Sequence, residues 1–483
     1  MDEYLSRNKK IVFFCLVVAV NLCVKILGIS HNQIALDEPF SIYHSQFSIS
    51  HIYHTLIEGN NPPAYEFFLH YWISIVGTDV FWVRLPSVIF SSVACGFWFM
   101  AAMYCMGLWY AVGCTFLFTF STEYIYFSHE ARAYALLLMV LAISTYLLVR
   151  LWNGEQKKSL VFAAAFFSAL SIYVHYLAAL PVALMGLVTV IRYIQKRDKG
   201  LLYYLLSTLL LVIPIGVLLF ERLRAINVYS VWGVKPVWTQ LYGFLNIFLN
   251  GRVTLVVLML CILIGIGLFL SQKNKPFLPE GSQYVFIWGL IFVCSYVGMY
   301  IISFKHPIFI ERYVQVAIPF FFLLLGNLFS ALINKHRTGK FVGLVVLLVF
   351  CLQANIYPSN ERNPQKVVDL SKAFLHESKG PVCLTPDWYD LNLAYYFNRD
   401  IFSSPHDELL ARLAESNIIF VNNHGTLIFH GYMPSNILLI DTGEHFVTGR
   451  HQTLDLLLMD YDLERADSID KQTTLYYLNI KQD

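Results

Sequence analysis

Charge is what this sequence has least of: 14% of its 483 residues are Asp, Glu, Lys or Arg, against 57% hydrophobic. Soluble domains carry about 25%. An ordinary soluble fold and a disordered chain are both excluded. The 34 basic residues nearly balance the 32 acidic ones and are scattered through short segments. No basic patch forms, so no nucleic-acid partner is expected. The chain lacks any CxxC pair, and eight of its nine cysteines fall in apolar stretches, only Cys383 in a polar one. They read as small buried hydrophobes rather than disulfide partners or zinc ligands. It also lacks GxGxxG, P-loop and HExxH patterns, so no cofactor and no metal is expected.

What is present is a series of apolar stretches, each close to the ~20 residues that cross a bilayer. Eleven spans are expected near 11–30, 84–104, 108–127, 133–150, 159–175, 177–193, 201–220, 253–271, 283–303, 313–333 and 341–357. Residues 85–122 contain no charged side chain, so two spans meet there at a tight turn near Gly107. The first span, preceded by Arg7, Lys9 and Lys10, lacks a small-residue cleavage site and reads as a retained signal-anchor. Lys and Arg gather at 150–158, 192–199, 273–275 and 335–340, on the side of the basic N-terminus. That side is predicted to be cytoplasmic. The loop from His31 to Val83 has no Lys or Arg and is predicted to lie outside.

Beyond Pro358 the composition turns polar. Short apolar runs at 382–385, 417–421 and 437–441 predict strands, and 364–377, 389–397, 406–415 and 450–459 predict helices. The expected architecture is an all-α polytopic membrane domain over 1–357, with an outer loop at 31–83. An α/β soluble domain over 358–483 follows on the outer face.

Charged residues avoid the centres of the spans, apart from an off-centre Lys25, and concentrate at their outer ends. A transporter keeps its charges near the midplane; a charged layer along one interface suits chemistry at the membrane surface. Leu36-Asp37-Glu38 places two acids just past the first span. Asp37 also precedes a proline at 39, which suits a helix cap. His44, His51, His54 and His70 share that loop, but without carboxylates at ligand spacing.

Five segments resemble, in order, the GT-C-fold polyprenyl-phosphate-sugar glycosyltransferases, the protein-mannosyltransferase-like and aminoarabinose-transferase-like enzymes. They are Leu36-Asp37-Glu38, Asn61-Pro62-Pro63-Ala64-Tyr65, Arg84-Leu85-Pro86-Ser87, Ser128-His129-Glu130-Ala131-Arg132-Ala133-Tyr134-Ala135-Leu136 and Leu170-Ser171-Ile172-Tyr173-Val174-His175-Tyr176. Asn61 and His129 stand where the family has His and Gln. A weaker sixth match covers Pro307–Pro319 with Glu311-Arg312-Tyr313.

The resemblance implies a monosaccharide moved from a polyprenyl phosphate to a hydroxyl on a lipid, glycan or protein, with inversion. The place is the outer face of the inner membrane, with the C-terminal domain periplasmic. Asp37 is the implied general base, and Glu38 shares the task or orients the acceptor. Arg84, Arg132, Arg222, Arg224, Lys305 and Arg312 are candidates for the leaving phosphate; interfacial arginines also snorkel to lipid without function. Glu130 is a substrate ligand or one half of a structural ion pair. His175 is a substrate ligand or a structural histidine. Asn61, Pro62, Pro63 and Tyr65 shape the cavity. Three rivals remain: a lipid-linked saccharide transporter, a ligase using diphosphate donors, and a non-catalytic binder of lipid-linked sugar.

Overall fold

The computed structural model describes residues 6–58, 61–225, 235–259, 283–335, 337–421, 433–444 and 451–482. They fall into two compact units. One comprises Met1–Ile29, Ile49–Phe68 and Arg84–Pro358; the other comprises Ser30–Ser48, Leu69–Val83 and Ser359–Asp483.

The first unit is helical, because almost every segment of it is apolar and backbone groups in a bilayer must be satisfied within the segment. In order the helices of the chain's first 352 residues are α1 (Arg7–Ile26), α2 (Glu38–His44), α3 (Ile49–Glu58), α4 (Ala64–Val76), α5 (Val80–Met106), α6 (Leu108–Phe120), α7 (Thr122–Ser128), α8 (Ala133–Trp152), α9 (Lys158–Val174), α10 (Ala179–Lys196) and α11 (Lys199–Ala225). After them come α12 (Thr239–Phe248), α13 (Arg252–Met259), α14 (Gln283–Ile302), α15 (Glu311–Val314), α16 (Ile318–Lys335) and α17 (Arg337–Leu352). Among the described residues five helical segments are long and apolar enough to cross a membrane: Val80–Met106, Ala133–Trp152, Tyr176–Lys196, Lys199–Phe220 and Gln283–Ile302. The helices α12 and α13 form a sixth only if counted together across their 99° bend. Most of the span expected over 253–271 lies outside the described residues.

The turn near Gly107 is present, with φ at +94°, a conformation glycine adopts without a Cβ clash. The stretch expected to run unbroken over 108–127 does not. It stops at Phe120, where Ser121 turns extended, and restarts as the short α7. The Ser121 hydroxyl donates to the Phe248 carbonyl (3.2 Å), and the Asn250 side chain donates to the Phe120 carbonyl (2.7 Å). Polar partners from the α12–α13 bend thus satisfy the opened backbone.

Lys25 is fully buried in this unit, its ammonium donating to the Ser91 hydroxyl (2.9 Å). Helices α6 and α16 cross at Gly326, where Tyr110 donates to the Leu323 carbonyl (2.6 Å). A Cβ on Gly326 would run into the Cys114 sulfur and the Tyr110 ring.

In the second unit the polar tail forms a five-stranded sheet with strand order β2-β1-β3-β5-β4. The strands are β1 (Val382–Thr385), β2 (Ile418–Phe420), β3 (Asn436–Asp441), β4 (Tyr461–Ser468) and β5 (Thr474–Ile480). The first three are mutually parallel; β5 pairs antiparallel with β3 and β4. The helices are α18 (Pro364–Glu377), α19 (Asp390–Phe397), α20 (Arg399–Phe402), α21 (His406–Glu415) and α22 (Gln452–Leu457). Cys383, Val421, Ile437, Leu439, Leu457, Tyr461 and Leu478 form one buried cluster under the sheet. The antiparallel pair β4–β5 is an addition to the three strands expected from sequence.

The α6–α16 crossing generates a prediction. Gly326→Ala overpacks it and costs about 1–3 kcal/mol, read as a lowered thermal midpoint of the detergent-solubilised protein. An unchanged midpoint would show that the crossing yields freely.

Candidate functional site

The first unit gathers three of the motif segments at breaks between helices. Ser128-His129-Glu130-Ala131-Arg132 forms the loop from α7 to α8, with the Arg132 amide donating to the Glu130 carbonyl (2.9 Å). Glu130 and Arg132 therefore lie in a loop, where helical spacing has no bearing on them. The imidazole of His129 donates through Nε2 to the Lys25 carbonyl (2.6 Å) and is buried. His129 thus braces the loop against α1.

His175 ends α9 in extended conformation, and its Nδ1 accepts from the Leu177 amide (3.2 Å). The ring proton is therefore on Nε2. That nitrogen is buried, and no hydrogen-bond partner for it occurs among the described residues. The His175 ring lies between Tyr134 and Tyr313, with centroids 6.1 Å and 5.3 Å away. The guanidiniums of Arg132 and Arg312 are the two charges that act on it. Arg312 in turn lies over the Tyr313 ring, 5.6 Å from its centroid.

The acidic side of this cluster holds a residue that no motif marks. Glu123, on α7, hydrogen-bonds the Glu311 carboxyl and feels the charge of Glu130. Tyr124 donates to the Gln315 carbonyl (3.2 Å), and the Gln315 side chain donates to the Arg312 carbonyl (2.7 Å). The first bond fastens α7 to the end of α15, and the second braces α15 itself. The segments around 123–134, 175 and 311–315 thus form one cluster with cationic and acidic members. Such an arrangement can hold a phosphate and the hydroxyls of a sugar together.

The acidic motif belongs to the second unit. Leu36 is at φ +57°, a strained conformation for a side chain of its kind. Asp37 sits at the N-cap of α2, but its side chain makes no capping hydrogen bond. Glu38, at the first helical position, is 2% exposed. Helix α19 of the C-terminal sheet domain holds this turn from both sides of the strain. The Asn392 amide donates to the Leu36 carbonyl (3.2 Å), and the Ile34 amide donates to the Tyr396 hydroxyl (2.7 Å). Tyr395 donates to the Thr78 carbonyl (2.9 Å), and Gln33 donates to Asn363 (3.0 Å). Nothing in the sequence pattern joins residues 33–38 to residues 363–396.

The other sequence-derived candidates are placed as follows. Arg84 is 1% exposed and donates to the Ile29 carbonyl (3.0 Å), closing the end of the first span onto α5. Asn61-Pro62-Pro63 is the turn that opens α4; the Pro63 carbonyl accepts from the Phe67 amide (2.9 Å), and Tyr65 is fully buried. Lys305 is exposed in the loop after α14. The side chains of Arg222 and Arg224 lie outside the described residues. His70 donates through Nδ1 to the Ser45 carbonyl (2.9 Å).

No protein-family model matches the chain, and no curated protein matches it in sequence. In structure it is similar to ArnT from Cupriavidus metallidurans bound to undecaprenyl phosphate, with a TM-score of 0.51 at 12% identity over 98% of both chains. Apo ArnT from the same organism gives a TM-score of 0.52 at 12% identity, over 96% of this chain and 97% of that one. At such identity the likeness shows the fold. The chain has the GT-C fold, helical and membrane-spanning, with a small C-terminal sheet.

The grip of α19 on the acidic turn is testable by hydrogen exchange. Tyr396→Phe removes the acceptor of the buried Ile34 amide, an unsatisfied group costing about 1–3 kcal/mol. Exchange over residues 34–38 is expected to quicken by roughly 5- to 100-fold, with the strands of the sheet unaffected. Unchanged exchange would show that the turn is held by other means.

Proposed function

We propose that this protein is a membrane glycosyltransferase. In this reading it moves a monosaccharide from a polyprenyl phosphate to a hydroxyl acceptor. The carrying observation is the convergence of Glu123, Glu130, Arg132, His175, Glu311 and Arg312 at helix breaks of one unit. Further support comes from the shared fold with a protein crystallised with undecaprenyl phosphate. Arg132 and Arg312 bind the lipid phosphate as bidentate donors, and the buried Nε2–H of His175 gives a further donor to a donor-substrate oxygen. The carboxylates beside them accept from sugar hydroxyls.

Asp37 is the general base. The acceptor oxygen attacks the anomeric carbon as its proton passes to Asp37. The bond from that carbon to the phosphate oxygen breaks with inversion, and polyprenyl phosphate leaves. The charge developing on it falls to the guanidiniums. Glu38, buried beside Asp37, orients the acceptor. Arg84, turned to the Ile29 carbonyl, contributes rigidity at the end of the first span. Lys305 and the arginines at 222 and 224 are further candidates for the headgroup. The active site faces the periplasm, and the polar C-terminal domain lies on that side.

Two outcomes are expected. Mass spectrometry of glycolipids and surface glycans should show a species one monosaccharide lighter when Asp37→Asn replaces wild type at matched levels, with the polyprenyl-phosphate sugar accumulating. General-base loss lowers turnover by about 10²–10⁴. Unchanged glycans would remove Asp37 as base, and unmodified saccharide crossing the membrane would favour the transporter reading. Separately, Arg132→Ala and Arg312→Ala should each weaken retention of undecaprenyl phosphate by about 10- to 100-fold, the worth of one charge-assisted hydrogen bond. Retention equal to wild type would place the phosphate elsewhere.

A further inference from the structure

The second unit contains a cleft that the transfer reading does not use. It opens at the carboxyl ends of the parallel strands β1 and β2, the edge at which open α/β sheets take ligands. Asp387, Trp388, Asp390, His406, Leu410 and Phe420 line it, around a volume of about 360 Å³. That is the small end of ligand clefts, which run ~300–1,000 Å³.

Its chemistry is selective. Trp388 is 39% exposed. The negative face of an indole attracts the polarised C–H bonds on one side of a pyranose. Asp387 is exposed and Asp390 largely buried. His406 donates through Nε2 to Asp390 Oδ2 (2.7 Å) and the Leu391 amide donates to Oδ1 (2.6 Å), which fixes that carboxylate and leaves each oxygen one further lone pair. Asp407 also acts on His406, and among the described residues no Lys or Arg lines the cleft. An anionic ligand therefore meets two carboxylates and, as the one basic group among the described lining residues, a His406 already bonded to Asp390, whereas vicinal hydroxyls or an ammonium find acceptors.

The cleft also abuts the helix of the acidic motif. The His406 ring meets Tyr43 of α2 edge-on, with centroids 6.4 Å apart, and Tyr43 donates to the Ser404 carbonyl (2.8 Å). Tyr43 lies six residues beyond Asp37, about 9 Å along the helix at 1.5 Å per residue. A short glycan reaches that far.

We propose that this cleft binds one sugar unit, uncharged or amine-bearing, stacked on Trp388 and hydrogen-bonded by Asp387 and Asp390. Sugar binding there stands by itself; that the bound unit belongs to the acceptor is an assignment that rests on the transfer reading.

The test uses the full chain in lipid nanodiscs and saturation-transfer NMR with methyl glucoside, glucosamine, glucuronate and glucose 6-phosphate. Wild type should pass saturation to methyl glucoside or glucosamine and not to the two anions. Trp388→Ala should lose at least four-fifths of that signal, Asp387→Asn should lower it, and Trp388→Phe should keep most of it. Equal signals from wild type and Trp388→Ala, a preference for the anions, or no signal from any sugar would overturn the proposal. Retention of undecaprenyl phosphate is measured on the same samples. Its absence with sugar binding intact would sink the transfer reading and leave the cleft; the reverse would sink the cleft alone.

Discussion

The first unit depends on one constraint: a bilayer offers no partner to a polar group, so every charge within it must be met by protein. Helices meet their own backbone but leave their side chains unmatched. Charges are therefore placed where helices break. Ser121 ends α6, the loop at 129–132 separates α7 from α8, His175 ends α9, and Ile310 precedes α15. Each break frees backbone groups that capture side chains, as His129 captures the Lys25 carbonyl and Gln315 the Arg312 carbonyl. The sites where helix is lost are the sites where ionisable side chains gather. Lys25 obeys the same constraint away from the cluster, held by Ser91 and Cys95.

The second unit solves a different problem. A short loop with a strained residue at Leu36 cannot hold two acids in place unaided. Helix α19 supplies the missing bonds through Asn392 and Tyr396. The C-terminal domain is thus part of the scaffold for the acidic motif. This gives its sheet a reason to exist beyond covering a surface. Compactness draws residues 30–48 and 69–83 to the tail, whereas hydropathy groups them with the spans that precede and follow.

Much of this was legible in sequence. Apolar runs are long and unambiguous, so most helix positions follow from them; α18 and α21 match their expected limits because amphipathic spacing and proline starts mark them. Strands β1 and β3 are buried and read as continuous apolar runs. Strand β4 does not, because six of its eight residues are exposed and its sequence is largely charged. The motifs pointed to Arg132, His175 and Arg312, but not to Glu123, which meets Glu311, 188 positions away. Asn392 and Tyr396 were invisible for the same reason. Long-range pairing leaves no periodic trace in a single chain. The break at Ser121 was marked only by the short polar run Ser121-Thr122-Glu123, after which the apolar composition resumes.

The leaving group tests the account most directly. Purified wild type and Asp37→Asn, in nanodiscs made with the host's own lipid extract, would be incubated and the free polyprenyl species identified by mass spectrometry. The account predicts release of polyprenyl monophosphate by wild type and, from Asp37→Asn, retention of the intact sugar-bearing lipid. Release of a diphosphate, or undiminished release by Asp37→Asn, would contradict it.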